Sequence, residues 1–331
     1  MPSKTKKKVF VTGGSGLVGS NLVYWGKEKY DITSTYFSFP CFLDVCQMEK
    51  ASLTNEEVYE RILTKYRPDF VIHSAAYTDL AGCETNIDRA QQINAQATKN
   101  IAETCEKIGA KLVYISTDWV FDGKKVGKYT EKDKSVPINS YGQSKLDGES
   151  VLPKDGNWII ARIANVYGLN YAISIKTLLE NHDSLFGRSG WAFQILHQLI
   201  RGKSIKMPRQ IYQTPTLASD LAEKIFDMCE QDMQGLFHVC GTTCVNRYQF
   251  VVQMAKKFGL NPDLVKSGTV DDLVVTWGVD LKKLPYFSQT IPANTCLDTT
   301  KLKEALGKKL VGLREGLQIM KSQLQETGFF G

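Results

Sequence analysis

The sequence predicts an α/β fold in which a doubly wound parallel sheet is joined to a smaller C-terminal α/β domain. Three observations carry this prediction. Short apolar runs alternate with helical periodicities through the first half of the chain. Those runs are nearly continuous in apolar residues, as strands covered on both faces must be. The first of them ends in a cluster of glycines that opens a helix.

Lys8-Val9-Phe10-Val11-Thr12 is the first strand, followed by Gly13-Gly14-Ser15-Gly16-Leu17-Val18-Gly19 and a helical pattern through Leu22, Val23 and Trp25. Strand, glycine turn and helix in that order form the Rossmann-type dinucleotide context. The glycines allow a tight turn and close backbone approach, and the helix N-terminus offers N–H groups to a pyrophosphate. Two registers fit, Gly14-x-Gly16-x-x-Gly19 and the wider Gly13-x-x-Gly16-x-x-Gly19. The candidate cofactor contacts here are Gly13, Gly16, Leu17, Val18 and Gly19. Asp31–Tyr36 reads as the second strand. Tyr36 occupies the place of the acidic residue that usually holds the ribose of NAD, with Phe37 and Ser38 after it. Nothing there repels a 2′-phosphate, and no Arg follows to bind one. The expected cofactor is NADP or NAD, with NADP favoured. Phe42-Leu43-Asp44-Val45 reads as a third strand, Asp44 being either an acceptor for the adenine amine or a surface carboxylate.

A helix near Glu56–Tyr66 leads to the buried-strand run 68–76, which ends in the small residues Ser74, Ala75 and Ala76. Small side chains suit close passage beside a flat cofactor. His73, inside that strand, reads as a core histidine. A long helix is predicted from Asp88 to Ile108, with Ile93, Ala97, Ile101 and Cys105 on one face and Asn94 beside the stripe. The next strand, 111–116, ends at Thr117-Asp118. Ligands of open α/β sheets bind at the carboxyl ends of the strands, where Ala75, Ala76, Thr117 and Asp118 would fall.

About two dozen residues later comes Pro137-Ile138-Asn139-Ser140-Tyr141-Gly142-Gln143-Ser144-Lys145. In a helix, Tyr141 and Lys145 are one turn apart on one face. A phenol beside an ammonium is a plausible proton donor, because positive charge favours the phenolate. Taken alone the motif is weak, since a chain with 14 Tyr and 41 Lys+Arg contains roughly one such pair by chance. Beyond it, helices are expected over 192–200, 217–229, 247–258, 299–306 and 313–324, with a strand at 236–239. The stretch 173–193 reads as a loop; its Arg188 either reaches a nucleotide diphosphate or is an exposed cation.

The length of 331 residues suggests two domains. We expect a dinucleotide-binding domain over 1–168 with a returning segment at about 205–240, and a substrate-binding domain from 169–204 and 241–331. The net charge of +6 includes the solvated run Lys4, Lys6, Lys7 and Lys8, and no basic cluster interleaved with aromatics follows, which argues against nucleic acid. No apolar run is long enough for a bilayer span, and no signal-peptide pattern is present. The eight cysteines include no Cys-x-x-Cys and read as reduced, mostly buried thiols of a cytoplasmic protein. His238, Cys240 and Cys244 lack a fourth metal ligand, so no metal is expected.

These motifs together resemble the extended short-chain dehydrogenase/reductases, and within them the dTDP-4-dehydrorhamnose reductase family. The matching pieces are Thr12–Gly19, Ala75-Ala76-Tyr77-Thr78, Asn94, Ile115–Gly123, Pro137-x-x-x-Tyr141-Gly142-x-Ser144-Lys145, Arg162…Val166-Tyr167-Gly168, Thr214-Pro215-Thr216, Asp220-Leu221-Ala222 and Leu297-Asp298. The resemblance implies reduction of the C4 carbonyl of a nucleotide-linked 4-keto-6-deoxy sugar. Tyr141 would protonate the developing alkoxide, Lys145 would hold the ribose and depress the Tyr pKa, and Thr117 would bond the reacting oxygen. Asp118 and Asn165 would meet the sugar; Asp44, Val45, Ala75, Ala76, Tyr77 and Asn94 would line the cofactor. Rhamnose-forming relatives carry a Trp where this chain has Asn165, a place that Trp119 or Trp191 could fill. A homodimer is the assembly expected. Two other readings stay open: an epimerase or dehydratase of the same group, and a non-catalytic regulatory subunit like that of methionine adenosyltransferase. Thr117 is followed by Asp118-Trp119 and not by the Asp-Glu of dehydratases, which disfavours dehydration.

Overall fold

Successive side chains of Lys8–Thr12 (β1) point to opposite faces, and both faces are apolar: Val9 and Val11 enter one core and Phe10 another. Such a strand has to lie between two layers. The computed structural model describes residues 5–39, 46–153, 155–174 and 190–329. After β1 come Asp31–Tyr36 (β2), Gln47–Lys50 (β3), Phe70–His73 (β4), Lys111–Thr117 (β5), Trp158–Ile163 (β6) and Val166–Tyr167 (β7). The remaining strands are Ile205–Pro208 (β8), Tyr212–Gln213 (β9), Thr216–Leu217 (β10), Gly235–His238 (β11), Val245–Asn246 (β12) and Val265–Gly268 (β13). Seven of them form a parallel sheet in the order β11-β6-β5-β4-β1-β2-β3.

This is a Rossmann-type doubly wound sheet, with its direction of winding reversing between β1 and β4. The helices Leu17–Gly26, Ala218–Glu230 and Thr300–Leu306 pack on one face through Leu22, Ile225 and Leu302. On the other face lie Glu56–Tyr66 and Ala97–Ile108, through Ile62 and Ile101. A further core joins Trp191–Ile200, Arg247–Lys257 and Leu313–Glu326 over the small β8–β13 sheet, filled by Leu196, Phe250 and Met320.

Several details differ from the sequence reading. The third strand lies at Gln47–Lys50, and residues 42–45, where a strand was expected, are outside the described residues. The long helix from residue 87 is broken by a π-turn at Gln92–Gln96 that contains Asn94, a local widening that periodicity does not register. β8 pairs with β13 and not with the large sheet, which the chain rejoins at β11.

The expectation of eight reduced thiols is overturned: Cys244 and Cys296 form a disulfide, with Cα atoms 5.6 Å apart. They are 52 residues apart in sequence and meet because β12 pairs with β9, which also bridges Asn294. No spacing rule could have found that pair. No cluster of potential metal ligands occurs among the described residues.

Candidate active site

The glycine turn is built by contact. Gly13 takes a left-handed φ of +72°, which a side chain would resist, and its carbonyl accepts from Gly16 N–H at 2.9 Å. A Cβ on Gly19 would strike the Gly13 carbonyl, so the helix can start that close only with glycine there. Gly14 is held as closely, since a Cβ there would strike the Ser34 hydroxyl, so the glycines of both registers are required by the turn. A Cβ on Gly13 would come within 2.9 Å of the Ala75 Cβ, placing the turn against the end of β4 at the switch point. Thr12 holds the two strand ends together: its hydroxyl accepts from Ala75 N–H at 3.0 Å and meets His73 Nδ1 at 2.8 Å. Burial and the Lys145 charge hold the His73 ring neutral, with a pKa of about 3.

Two hollows of about 720 and 600 Å³ meet at Gly13, Phe37, Ala75 and Ala76. The first runs past Tyr36, Ser52, Tyr77 and Arg89. The second runs over Leu17, Val18 and Gly19 to Thr117, Tyr141 and Asn165. An elongated cleft of this course fits a dinucleotide.

Tyr141 and Lys145 lie in the helix Ser140–Ser150. Asn139 caps it by accepting from Gly142 N–H at 2.7 Å, and its amide donates to Thr290 O at 3.0 Å. A Cβ on Gly142 would strike the Trp119 carbonyl, so the helix start is pressed against the end of β5. Farther along, Arg162 of β6 grips Glu149 through two parallel bonds, Nε to Oε1 at 2.8 Å and Nη2 to Oε2 at 2.6 Å, both residues being buried. Asn94 fixes the helix from the π-turn, donating to Ser144 Oγ at 2.9 Å and to Tyr77 O at 3.0 Å while accepting from Tyr77 N–H. Its amide is thus spent on protein partners, and Asn94 lies behind the cleft and not on its wall.

The Tyr141 phenol sits near Thr117, half-buried. Burial raises its pKa, and the Thr117 hydroxyl offsets part of that rise. Lys145 is 2% exposed, and its Nζ lies 4.0 Å from the Tyr114 ring centre. Burial lowers its pKa to about 7, against an opposing pull from Glu149. The expected depression of the Tyr141 pKa by Lys145 does not occur here. Helical spacing fixes which face both residues share, but the ammonium lies over Tyr114.

Asp118 is the most connected side chain of the inner wall. It accepts from Gln213 Nε2 at 2.9 Å, from Thr117 Oγ1 at 3.2 Å and from Thr295 Oγ1. Burial still raises its pKa to about 6, the hydrogen bonds offsetting part of the rise. Asn165 borders the cleft with φ +44°, a conformation Asn tolerates, and its Oδ1 has no partner. Trp119 and Trp191 both border the cleft as well.

The structure thus gathers Gly13, Gly16, Leu17, Val18, Gly19, Ala75, Ala76, Thr117, Asp118, Tyr141 and Asn165 along one cleft, with Tyr77 in its outer part. Asp44, Val45 and Arg188 lie outside the described residues. Sequence reading missed Gln213, Thr295 and Arg247. Each comes from the second half of the chain and reaches the wall through pairing of short strands that left no periodic signal. Arg89, in the helix Ile87–Gln91 well beyond β2, also went unnoticed; it lines the same hollow as Tyr36, and its guanidinium lies 5.0 Å from the Tyr77 ring centre.

Fold and site define the class: an extended short-chain dehydrogenase/reductase, with a glycine turn at the sheet's switch point and a Tyr-x-x-x-Lys helix beside it. The chain belongs to the family whose model is described as RmlD substrate binding domain, which matches residues 7–326. The probable low-salt glycan biosynthesis reductase Agl14 of Haloferax volcanii is 28% identical over 319 residues, covering 96% of this chain and 98% of the relative. The dTDP-4-dehydrorhamnose reductase of Aggregatibacter actinomycetemcomitans is 26% identical, covering 91% and 93%. Methionine adenosyltransferase 2 subunit beta of Rattus norvegicus is 28% identical, covering 94% and 87%. Among solved structures, dTDP-4-dehydrorhamnose reductase of Bacillus anthracis in complex with NADP superposes with a TM-score of 0.76 at 24% identity, covering 96% of this chain and 100% of that one. WbmG of Bordetella bronchiseptica in complex with NAD gives 0.75 at 20%, covering 100% and 98%. At those identities the solved structures establish the shared fold. No helix among the described residues is long and apolar enough to cross a membrane.

Proposed function

We propose that this chain is an NAD(P)H-dependent reductase of the C4 carbonyl of a nucleotide-linked 4-keto-6-deoxy sugar. The observation that carries the reading is the placement of Tyr141 and Thr117 on the inner half of a cleft whose outer half begins at the glycine turn. Lys145 supports it, as a buried ammonium with no hydrogen bond or ion pair among the described residues, which suits ribose hydroxyls as partners. The bound cofactor supplies the reducing equivalent. Tyr141, kept protonated by burial, donates its proton to the oxygen on which charge develops, and Thr117 orients that oxygen. Asp118 and Asn165 hold the sugar. The sheet with its flanking helices would be the dinucleotide-binding domain, and the unit around Phe250 and Met320 the substrate domain.

The test is a panel of dTDP-, UDP-, GDP- and CDP-linked keto-sugars with NADPH and NADH, followed by cofactor absorbance. Oxidation with at least one of them, abolished by Tyr141→Phe, is the expected result. A second reading, a non-catalytic subunit, is favoured by the methionine adenosyltransferase relative, which shares the 28% identity of the Haloferax reductase over nearly the whole chain. Intact cofactor binding with no turnover across the panel would decide for it.

A further inference from the structure

We propose that Arg247 is an anion receptor on the inner wall of the cleft, taking an oxyanion of the phosphate or carboxylate kind carried by the substrate. This rests on the nucleotide-sugar reading above and deepens it. Arg247 opens the helix Arg247–Lys257, whose start is fixed by a capping box between Asn246 and Gln249 and by Arg247 N–H donating to Ile211 O at 3.0 Å. Its side chain borders the cleft, is 7% exposed, and leaves Nε and Nη1 without a hydrogen-bond partner among the described residues. A buried guanidinium is ordinarily paired, because removing it from water is costly.

The acid nearest in influence is Asp118, whose charge opposes the desolvation of Arg247. It does not pair with it. The Asp118 oxygens are engaged by Thr117, Gln213 and Thr295, and no ion pair joins it to the arginine. Trp191 covers one face of the guanidinium at 4.4 Å, with the indole tethered by its Nε1 donating to Val166 O at 3.1 Å. Stacking fixes the plane and leaves the edge, where the donors are, to do the bonding. Nε and Nη1 lie on the two different forked edges of the guanidinium, each shared with Nη2, so either edge is free to meet the two oxygens of a phosphate or a carboxylate. A purely structural cation would be expected to bond the neighbouring carboxylate, and this one does not.

The full-length protein is titrated calorimetrically with UDP, dTDP, GDP and CDP and with the matching nucleosides, and then with UDP-glucose and UDP-glucuronate. Wild type, Arg247→Gln and Arg247→Lys are compared, with NADPH affinity and melting temperature as controls. The expected result is a diphosphate bound at least about tenfold more tightly than its nucleoside, with that advantage lost in the Gln variant and only partly kept by Lys. Nucleoside and NADPH affinities stay unchanged. If the Gln variant loses affinity for UDP-glucuronate alone, the proposal stands with the sugar carboxylate as the anion. Should the Gln variant fail to fold, a loss for the Lys variant, which keeps the charge without the fork, supports it equally. Unaltered anion affinities in a folded variant overturn the proposal, and so does a parallel loss of NADPH affinity, which would make the anion the cofactor's own. Arg247-dependent binding without turnover would keep this inference and defeat the reductase reading; turnover with Arg247-independent binding would do the reverse.

Discussion

Lys145 Nζ lies 4.0 Å from the centre of the Tyr114 ring and makes no hydrogen bond to the Tyr141 phenol one turn earlier. The aromatic face attracts the charge, yet burial is the larger effect and holds the pKa near 7. A ligand that accepts hydrogen bonds from the ammonium must raise that value again. Dinucleotide binding at pH 8 should therefore take up as much as about one proton, and binding at pH 6 almost none, because the lysine is already charged there. Calorimetry in buffers of different ionisation enthalpy measures this, and Lys145→Met should abolish the difference. Equal uptake in wild type and variant would remove Lys145 from the cofactor site.

The phenol of Tyr141 behaves in the opposite sense. Burial keeps its proton on throughout the neutral range, so it can act as an acid and not as a standing base. Tyr141→Phe removes that proton while leaving the ring against Trp119, 6.1 Å between centres. Turnover should fall by roughly 10²- to 10⁴-fold. NADPH affinity, followed by fluorescence, should be nearly unchanged. A variant that retained most of its activity would assign the proton to another group.

Much of this could be read from the chain because it is local. The glycine turn, the small residues after β4 and the Tyr141–Lys145 spacing each depend on neighbours within a few residues; the first two and Tyr141 line the same cleft, while Lys145 is buried beside Tyr114. The direction of the Lys145 side chain was not legible, since it depends on Tyr114 of another element. Gln213, Thr295 and Arg247 were not legible either. They surround or influence Asp118 only because two-residue strands pair across long separations, which no hydrophobic period encodes. Asn94 was legible as a polar residue beside an apolar stripe, but its side-chain bonds to Tyr77 and Ser144 were not.

Those bonds have their own consequence. The Asn94 side chain makes three hydrogen bonds, and Asn94→Ala would leave the Tyr77 N–H without its acceptor and Ser144 without its donor. A loss of about 1–3 kcal/mol in unfolding free energy is expected from an orphaned buried group. The turnover number should fall as well, because the Tyr141 helix loses its brace, while the cofactor contacts on the glycine turn stay. Denaturant titration and steady-state kinetics check both. A stable variant with lowered cofactor affinity alone would make Asn94 a direct cofactor ligand after all.

Asp118 should leave a mark on the pH dependence of stability. Its pKa rises from 3.8 to about 6 on folding, so the folded chain binds that proton more tightly than the unfolded chain does. This contribution is largest at low pH and is lost as pH climbs through about 6. Wild type should therefore gain stability relative to Asp118→Asn as the pH is lowered from 7 to 5, a comparison in which other titrations largely cancel. A gap that is constant across that range, or that widens toward pH 7, would mean the carboxylate is better solvated than its burial implies.

The Cys244–Cys296 bridge closes a separation of 52 residues and joins two segments that serve the inner wall. Cys296 follows Thr295, which bonds Asp118, and Cys244 stands three residues before Arg247. Cross-linking a loop of that length restricts the unfolded chain, and typical bridges contribute about 2–4 kcal/mol. Cys244→Ser should lower the denaturation midpoint accordingly, and a reductant should produce the same fall in wild type without adding to the variant's. Because the bridge anchors the segment that carries Thr295 to Asp118, nucleotide-sugar affinity should weaken while NADPH affinity holds. Intact-mass and thiol counting under non-reducing conditions provide the direct check. Finding both cysteines free in the oxidised, folded protein would defeat the prediction and return the pair to the buried thiols that the sequence suggests.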